Sequence, residues 1–107
     1  MRALRLVSSL ALFGAVALAE TWNGTLIDQM CQGKKDPVSH TRQCAISCAK
    51  SGFGVLTADG KYVKFDAAGN KKALAVLTKS TKENDLKATV TGTLEGDVIK
   101  VDTVALQ

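Results

Sequence analysis

The sequence predicts a mainly β domain, a small barrel of five antiparallel strands with two helices, and three observations carry that expectation. Apolar and polar residues alternate in short runs, most cleanly over Asp85 to Leu94 and Val98 to Leu106. Turn residues separate the runs, as at Asp59-Gly60 and Glu95-Gly96-Asp97. Helical patterning is confined to two stretches, Arg42 to Lys50 and about Asn70 to Lys79.

A division at residue 19 decides what the averages mean. The 107-residue chain has a formal charge of +4, 46% hydrophobic residues and three Cys. Met1 to Ala19 contributes 14 of the apolar residues, two basic residues and no acid. Arg2 and Arg5 precede the apolar run Leu6 to Ala15, and Ala17-Leu18-Ala19 offers small residues where a signal peptidase reads them. This is the pattern of a secretory signal peptide over residues 1–19, cleaved between Ala19 and Glu20. Leu6 to Ala19 is 14 residues, short of the ~20 a helix needs to span a bilayer. The expected product is one domain, residues 20–107, periplasmic or secreted, with no membrane anchor. It carries 12 basic and 10 acidic residues, a net charge of +2, which excludes a strongly polybasic nucleic-acid binder. Its length excludes a large enzyme with a deep cleft.

The elements follow in order. Thr21 to Asp28 is rich in Thr, Ile, Leu and Trp, and reads as strand one, with Gly24 placed for a bend. Gln29 to Ser39 is a loop with the only Pro of the chain. A short helix through Arg42 to Lys50 ends at Gly52; Asp36, Ser39 and Thr41 are each suited to cap its start. Gly54 to Ala58 and Lys61 to Phe65 form strands two and three around a two-residue Asp59-Gly60 turn, with Val63 and Phe65 on one face and Tyr62 and Lys64 on the other. The second helix places Leu74 and Leu77 one step apart beside Ala73, and its Lys71 and Lys72 face solvent. Strand four puts Leu86, Ala88 and Val90 inward, and strand five Ile99 and Val101. Five strands with a helix between the third and fourth is the element order of an OB-fold, a partly open Greek-key barrel; the Cys-bearing helix between strands one and two is an insertion. The competing arrangement is an open antiparallel sheet with both helices on one face.

Several runs also carry a resemblance. They are Gly24-Thr25-Leu26-Ile27-Asp28-x-x-Cys31, Ser39-His40-x-x-x-Cys44-x-x-x-Cys48 with Gly52, Lys61-Tyr62-x-Lys64-Phe65-Asp66, and the closing Val90-Thr91-Gly92-Thr93-Leu94-Glu95-Gly96-Asp97-x-Ile99-Lys100-Val101. Together they resemble a family of small exported bacterial proteins of unknown function with an OB-fold-like barrel. The resemblance spans essentially the whole mature chain and implies export and the barrel. It implies no reaction and lends no catalytic residue.

The strongest chemical signal is that Cys31, His40, Cys44 and Cys48 fall within 18 residues, with the single His of the chain among all its thiols. In an oxidising compartment the first expectation is a disulfide from Cys31 to Cys44 or Cys48, tethering the inserted helix. Closing a loop of about 15 residues contributes roughly 3 kcal/mol by chain entropy. The alternative is a metal site, Cys₃His for zinc or a subset for copper. His40 and Cys48 lie eight residues apart, ~12 Å along a continuous helix, so the full set requires the helix to begin after His40. Cys44-Ala-Ile-Ser-Cys48 has three residues between its thiols, not the two of thioredoxin-type motifs. A Cys44–His40 nucleophile has no identifiable orienting group.

Trp22, Tyr62 and Lys64 form a candidate face for an envelope or extracellular ligand, against the plainer reading that the two aromatics fill the barrel or its rim. Lys34-Lys35 reads as a solvated pair, and Asp28, Asp36, Asp59 and Asp66 as strand-end, capping and turn residues. No carboxylate pair spans a cleft, so the sequence predicts a non-enzymatic binding or structural module, with a periplasmic zinc or copper protein as the alternative. Expressed in a bacterium with its leader, the protein is expected to begin at Glu20 by intact mass; a soluble exported chain still carrying Met1 contradicts the cleavage.

Overall fold

The computed structural model describes residues 19–33 and 36–107. The signal segment, apart from Ala19, and the Lys34-Lys35 pair lie outside the described residues. Five strands form one sheet: β1 (Glu20–Asp28), β2 (Phe53–Thr57), β3 (Tyr62–Phe65), β4 (Lys87–Glu95) and β5 (Val98–Leu106). Two helices, α1 (Arg42–Ser47) and α2 (Ala67–Lys79), follow β1 and β3. The strand order is β1-β2-β3-β5-β4, and β4 pairs back onto β1, so the sheet closes on itself. No helix among the described residues is long and apolar enough to cross a membrane.

Closure corrects the expectation of five antiparallel strands. Four neighbouring pairs are antiparallel. The fifth, β3 with β5, is parallel through Lys64↔Val98 and Phe65↔Ile99. An odd number of strands cannot alternate direction all the way round a ring, so at least one parallel pair is required by geometry. A register shift at Thr91/Gly92 lets β4 meet β1 over its first half and β5 along its length.

Local boundaries differ for identifiable reasons. The expected two-residue hairpin is a longer connection from Thr57 to Tyr62: Gly60 N–H donates to Thr57 O, and only Gly60 has positive φ. Asp59 instead receives the Thr57 hydroxyl hydrogen bond, which an ordinary turn followed by a left-handed Gly provides. α2 begins at Ala67 rather than Asn70 because the Asp66 carboxylate accepts from Gly69 N–H at 2.9 Å and caps it. α1 ends at Ser47 and passes into a 3₁₀ turn at Ala49–Ser51, stopping at Gly52 with φ 89°. Lys72 is exposed, as expected, and its ammonium also reaches across to β5 and donates to Asp102 O at 2.7 Å.

Alternation places Leu26, Val55, Val63, Phe65, Val90 and Ile99 in a common core, closed at one end by α2 through Ala73 and Leu77. The helix approaches closely because Gly69 has no side chain: a Cβ there would lie 2.5 Å from Val101 Cγ2. Phe53, wholly buried beside the insertion, is among the largest core side chains. Truncating Phe53 to Ala is expected to lower stability by about 3–5 kcal/mol in urea unfolding. Lys64→Ala, on the exposed face of β3, is expected to change it by about 0.5 kcal/mol or less.

Candidate metal centre

The site forms where β1 ends. Asp28 is its last residue, paired with Phe53 and wholly buried. The chain then tightens into a 3₁₀ turn at Gln29–Cys31. Gln29 N–H donates to Gly52 O at 2.8 Å, and Met30 N–H to Ser51 Oγ at 3.3 Å, so the turn lies along the end of the insertion. A second 3₁₀ turn at Pro37–Ser39 delivers His40 in extended conformation. Thr41 then caps α1, its hydroxyl accepting from Cys44 N–H at 3.1 Å. The helix therefore starts after His40, and the loop is free to return the imidazole to the sheet.

His40, 2% exposed, donates from Nε2 to Asp28 Oδ1 at 2.8 Å. Cys31 completes the group: one donor atom each from Asp28, Cys31 and His40 lies within 4.8 Å of the other two. The second carboxylate oxygen, Asp28 Oδ2, is buried with no hydrogen-bond partner. Such an atom is costly to desolvate unless something electropositive meets it.

The structure thus joins two of the sequence-predicted donors and omits two. Cys44 is exposed on α1, and Cys48 is half-buried at its C-terminal end; neither enters the cluster. The donor atoms that converge are those of Asp28, Cys31 and His40, not the full Cys₃His set: α1 begins only after His40, and Cys44 and Cys48 lie on it and at its C-terminal end. The expected tether from Cys31 to Cys44 or Cys48 is not formed in the structure, where no disulfide joins the three cysteines. Asp28 is the residue sequence reasoning missed. Its signal was the spacing Asp28-x-x-Cys31, a carboxylate one short turn before a thiol and in the same loop system as the only His.

The geometry discriminates between two chemistries. In a nucleophile–His–Asp relay the imidazole stands between the other groups, which holds thiol and carboxylate roughly 7 Å apart. Here those donor atoms lie within 4.8 Å, so the three groups converge on a point instead of forming a line. Convergence of N, S and O donors is what a metal ion requires.

The candidate ligand face divides as well. Trp22 and Tyr62 line a small cavity of about 130 Å³ together with Leu94, and Lys64 is not among its lining residues. Tyr62 spends its hydroxyl on Ile27 O at 2.9 Å, and its ring crosses Gly54, where a Cβ would lie 2.5 Å from Cζ. A larger groove of about 510 Å³ has Lys87 as its single charged lining residue.

No family model, curated protein or solved structure matches the chain.

Tyr62 reports on the cluster. Burial pushes its phenol above the ordinary value near 10, and the negative charges of Asp28 and Cys31 push it further. A folded-state value above the unfolded one means that this contribution to stability is complete below about pH 10 and is lost as pH rises through the folded value. Tyr62 is the only Tyr. Ultraviolet titration of the metal-free protein is therefore expected to show phenolate forming well above pH 10, and at lower pH in Asp28→Asn; an ordinary titration in both contradicts the placement.

Proposed function

We propose that this is an exported metal-binding module, built on an OB-fold-like barrel, that holds one zinc ion at Asp28, Cys31 and His40. The observation that carries the reading is the convergence of three donor atoms within 4.8 Å at a largely buried position. The partnerless Asp28 Oδ2 supports it, since a cation meets that oxygen's need. Donor chemistry favours zinc over copper: thiolate and imidazole accept either ion, but a hard carboxylate does not suit Cu(I). With three protein donors a tetrahedral ion keeps one position for water or a further ligand.

The closed order β1-β2-β3-β5-β4 with a helix between β3 and β4 supports the OB-like assignment. Residues 2–19 support export, and with it a periplasmic or secreted location. The same arrangement accounts for an insertion that needs no covalent tether, since His40 and Asp28 hold it to the end of the sheet.

Reduced, metal-free mature protein is expected to take up one equivalent of zinc. Binding releases protons, because thiol and imidazole must both present lone pairs to the ion. At about 100 times the dissociation constant, zinc is expected to add roughly 2.7 kcal/mol of stability. Cobalt(II) in its place is expected to show sulfur-to-metal absorption that disappears in Cys31→Ser and persists in Cys44→Ser. Absence of uptake, or loss of binding in Cys44→Ser alone, overturns the site.

A further inference from the structure

We propose that Cys31 has a second, mutually exclusive partner in Cys48, so that oxidation to a Cys31–Cys48 disulfide dismantles the metal centre. The inference rests on the metal reading for its consequence, but the pairing itself stands on the placement of two turns.

The first turn, Gln29–Cys31, runs against the second, Ala49–Ser51 with its flanking residues, in opposite directions. Gln29 Nε2 donates to Phe53 O at 3.3 Å, Gln29 N–H to Gly52 O at 2.8 Å and Met30 N–H to Ser51 Oγ at 3.3 Å. Each step forward on one strand of this contact is a step back on the other. Ser51 Oγ in turn donates to Cys48 O at 2.8 Å, which brings the backbone of Cys48 to within two hydrogen bonds of Met30. Continued by one step, this register sets Cys31 opposite Lys50, two residues from Cys48 and six from Cys44. Both thiols are half-buried, whereas Cys44 lies a helical turn away from Cys48 with its residue exposed. The pairing therefore selects Cys48 over Cys44.

Bridging requires Cα atoms about 4.4–6.8 Å apart, and whatever approach this needs is assigned to the Cys31 turn, which lies outside the sheet. That approach leaves the sheet undisturbed, because Asp28 remains paired in β1. The oxidant is a small dialkyl disulfide. The Cys48 thiolate attacks one of its sulfurs and expels a small thiolate; the Cys31 sulfur then attacks the mixed disulfide at Cys48 and expels the second. Two electrons leave the protein sulfurs, and the small disulfide departs as two thiols. Once its sulfur is bonded to Cys48, Cys31 no longer donates to the metal.

The test treats zinc-loaded mature protein with excess oxidised glutathione, following zinc with a chromophoric chelator and mapping disulfides by peptide mass. Wild type and Cys44→Ser are expected to lose two hydrogens, yield a Cys31–Cys48 cross-linked peptide and release zinc. Cys48→Ser and Cys48→Ala are expected to form no internal bridge and to release zinc ~10-fold more slowly, through a glutathione adduct at Cys31. A Cys31–Cys44 cross-link in wild type, or three intact thiols after prolonged treatment, overturns the inference. If the reduced protein takes up no zinc, the metal reading fails, and the peptide map alone decides whether Cys31 pairs with Cys48.

Discussion

The hydrogen bond from His40 to Asp28 is the constraint on which the path of the insertion between β1 and β2 depends. Between β1 and β2 the described chain buries few apolar groups: Ala45 is the one fully buried apolar side chain, with Ile46 and Ala49 packed partly against the core. Apolar burial on that scale offsets little of the entropy of ordering such a segment. Polar contacts position it instead. Arg42 N–H donates to Glu83 O at 2.8 Å and Asp85 N–H to Val38 O at 2.9 Å, which fastens the outer part of the loop to the segment before β4. His40 fastens the inner part. A buried carboxylate–imidazole pair is not a large net source of stability, yet removing one partner typically costs about 3–5 kcal/mol because the other is left buried and unmatched. Its effect is to specify where the loop goes.

Much of the sheet was legible in the sequence because alternation is a local property. Leu86, Ala88 and Val90 against Lys87 and Thr89, or Ile99 and Val101 against Lys100, reveal which face is buried from residues a few positions apart. The parallel contact between β3 and β5 was not legible, since it follows from closing an odd ring and no short run encodes it. The start of α2 shifted, and the cap of α1 stayed open among three residues, for a related reason: Asp66 and Thr41 act as caps only once their side chains find particular N–H groups, and composition leaves several candidates equivalent. Gly60 fitted a tighter turn than it makes, because Asp59 had a hydrogen-bond partner in Thr57 that the dipeptide alone does not reveal.

The site divided along the same line between local and long-range information. Cys31 and His40 stood out because the chain has one His and few thiols. Cys44 and Cys48 stood out equally, and nothing in their spacing shows that they lie outside the cluster. Asp28 was hidden by its setting: a polar residue at the end of a strand is ordinary, and its importance arises only when a loop folds back by twelve residues to place an imidazole against it. Tyr62 was placed correctly on the outer face of β3 but for a different purpose. Its hydroxyl closes onto Ile27 O, one residue from Asp28, which makes it a neighbour of the cluster more than an open stacking surface.

The three side chains are carried on different elements, which bears on how one sheet end would accommodate the proposed metal and the proposed disulfide in turn. Asp28 is fixed by pairing within β1 and β2, elements whose opening is tied to that of the whole sheet. His40 is fixed through Asp28. Cys31 is on a three-residue turn that Gln29 and Met30 join to the end of the insertion. Binding of a zinc ion would need donor atoms now up to 4.8 Å from one another to lie ~2–2.3 Å from the ion. The proposed disulfide would instead draw the Cys31 turn toward Cys48. A sulfur carried on a turn outside the sheet, beside an oxygen carried on β1, would allow the proposed ligand set to be completed or broken while the sheet keeps its register.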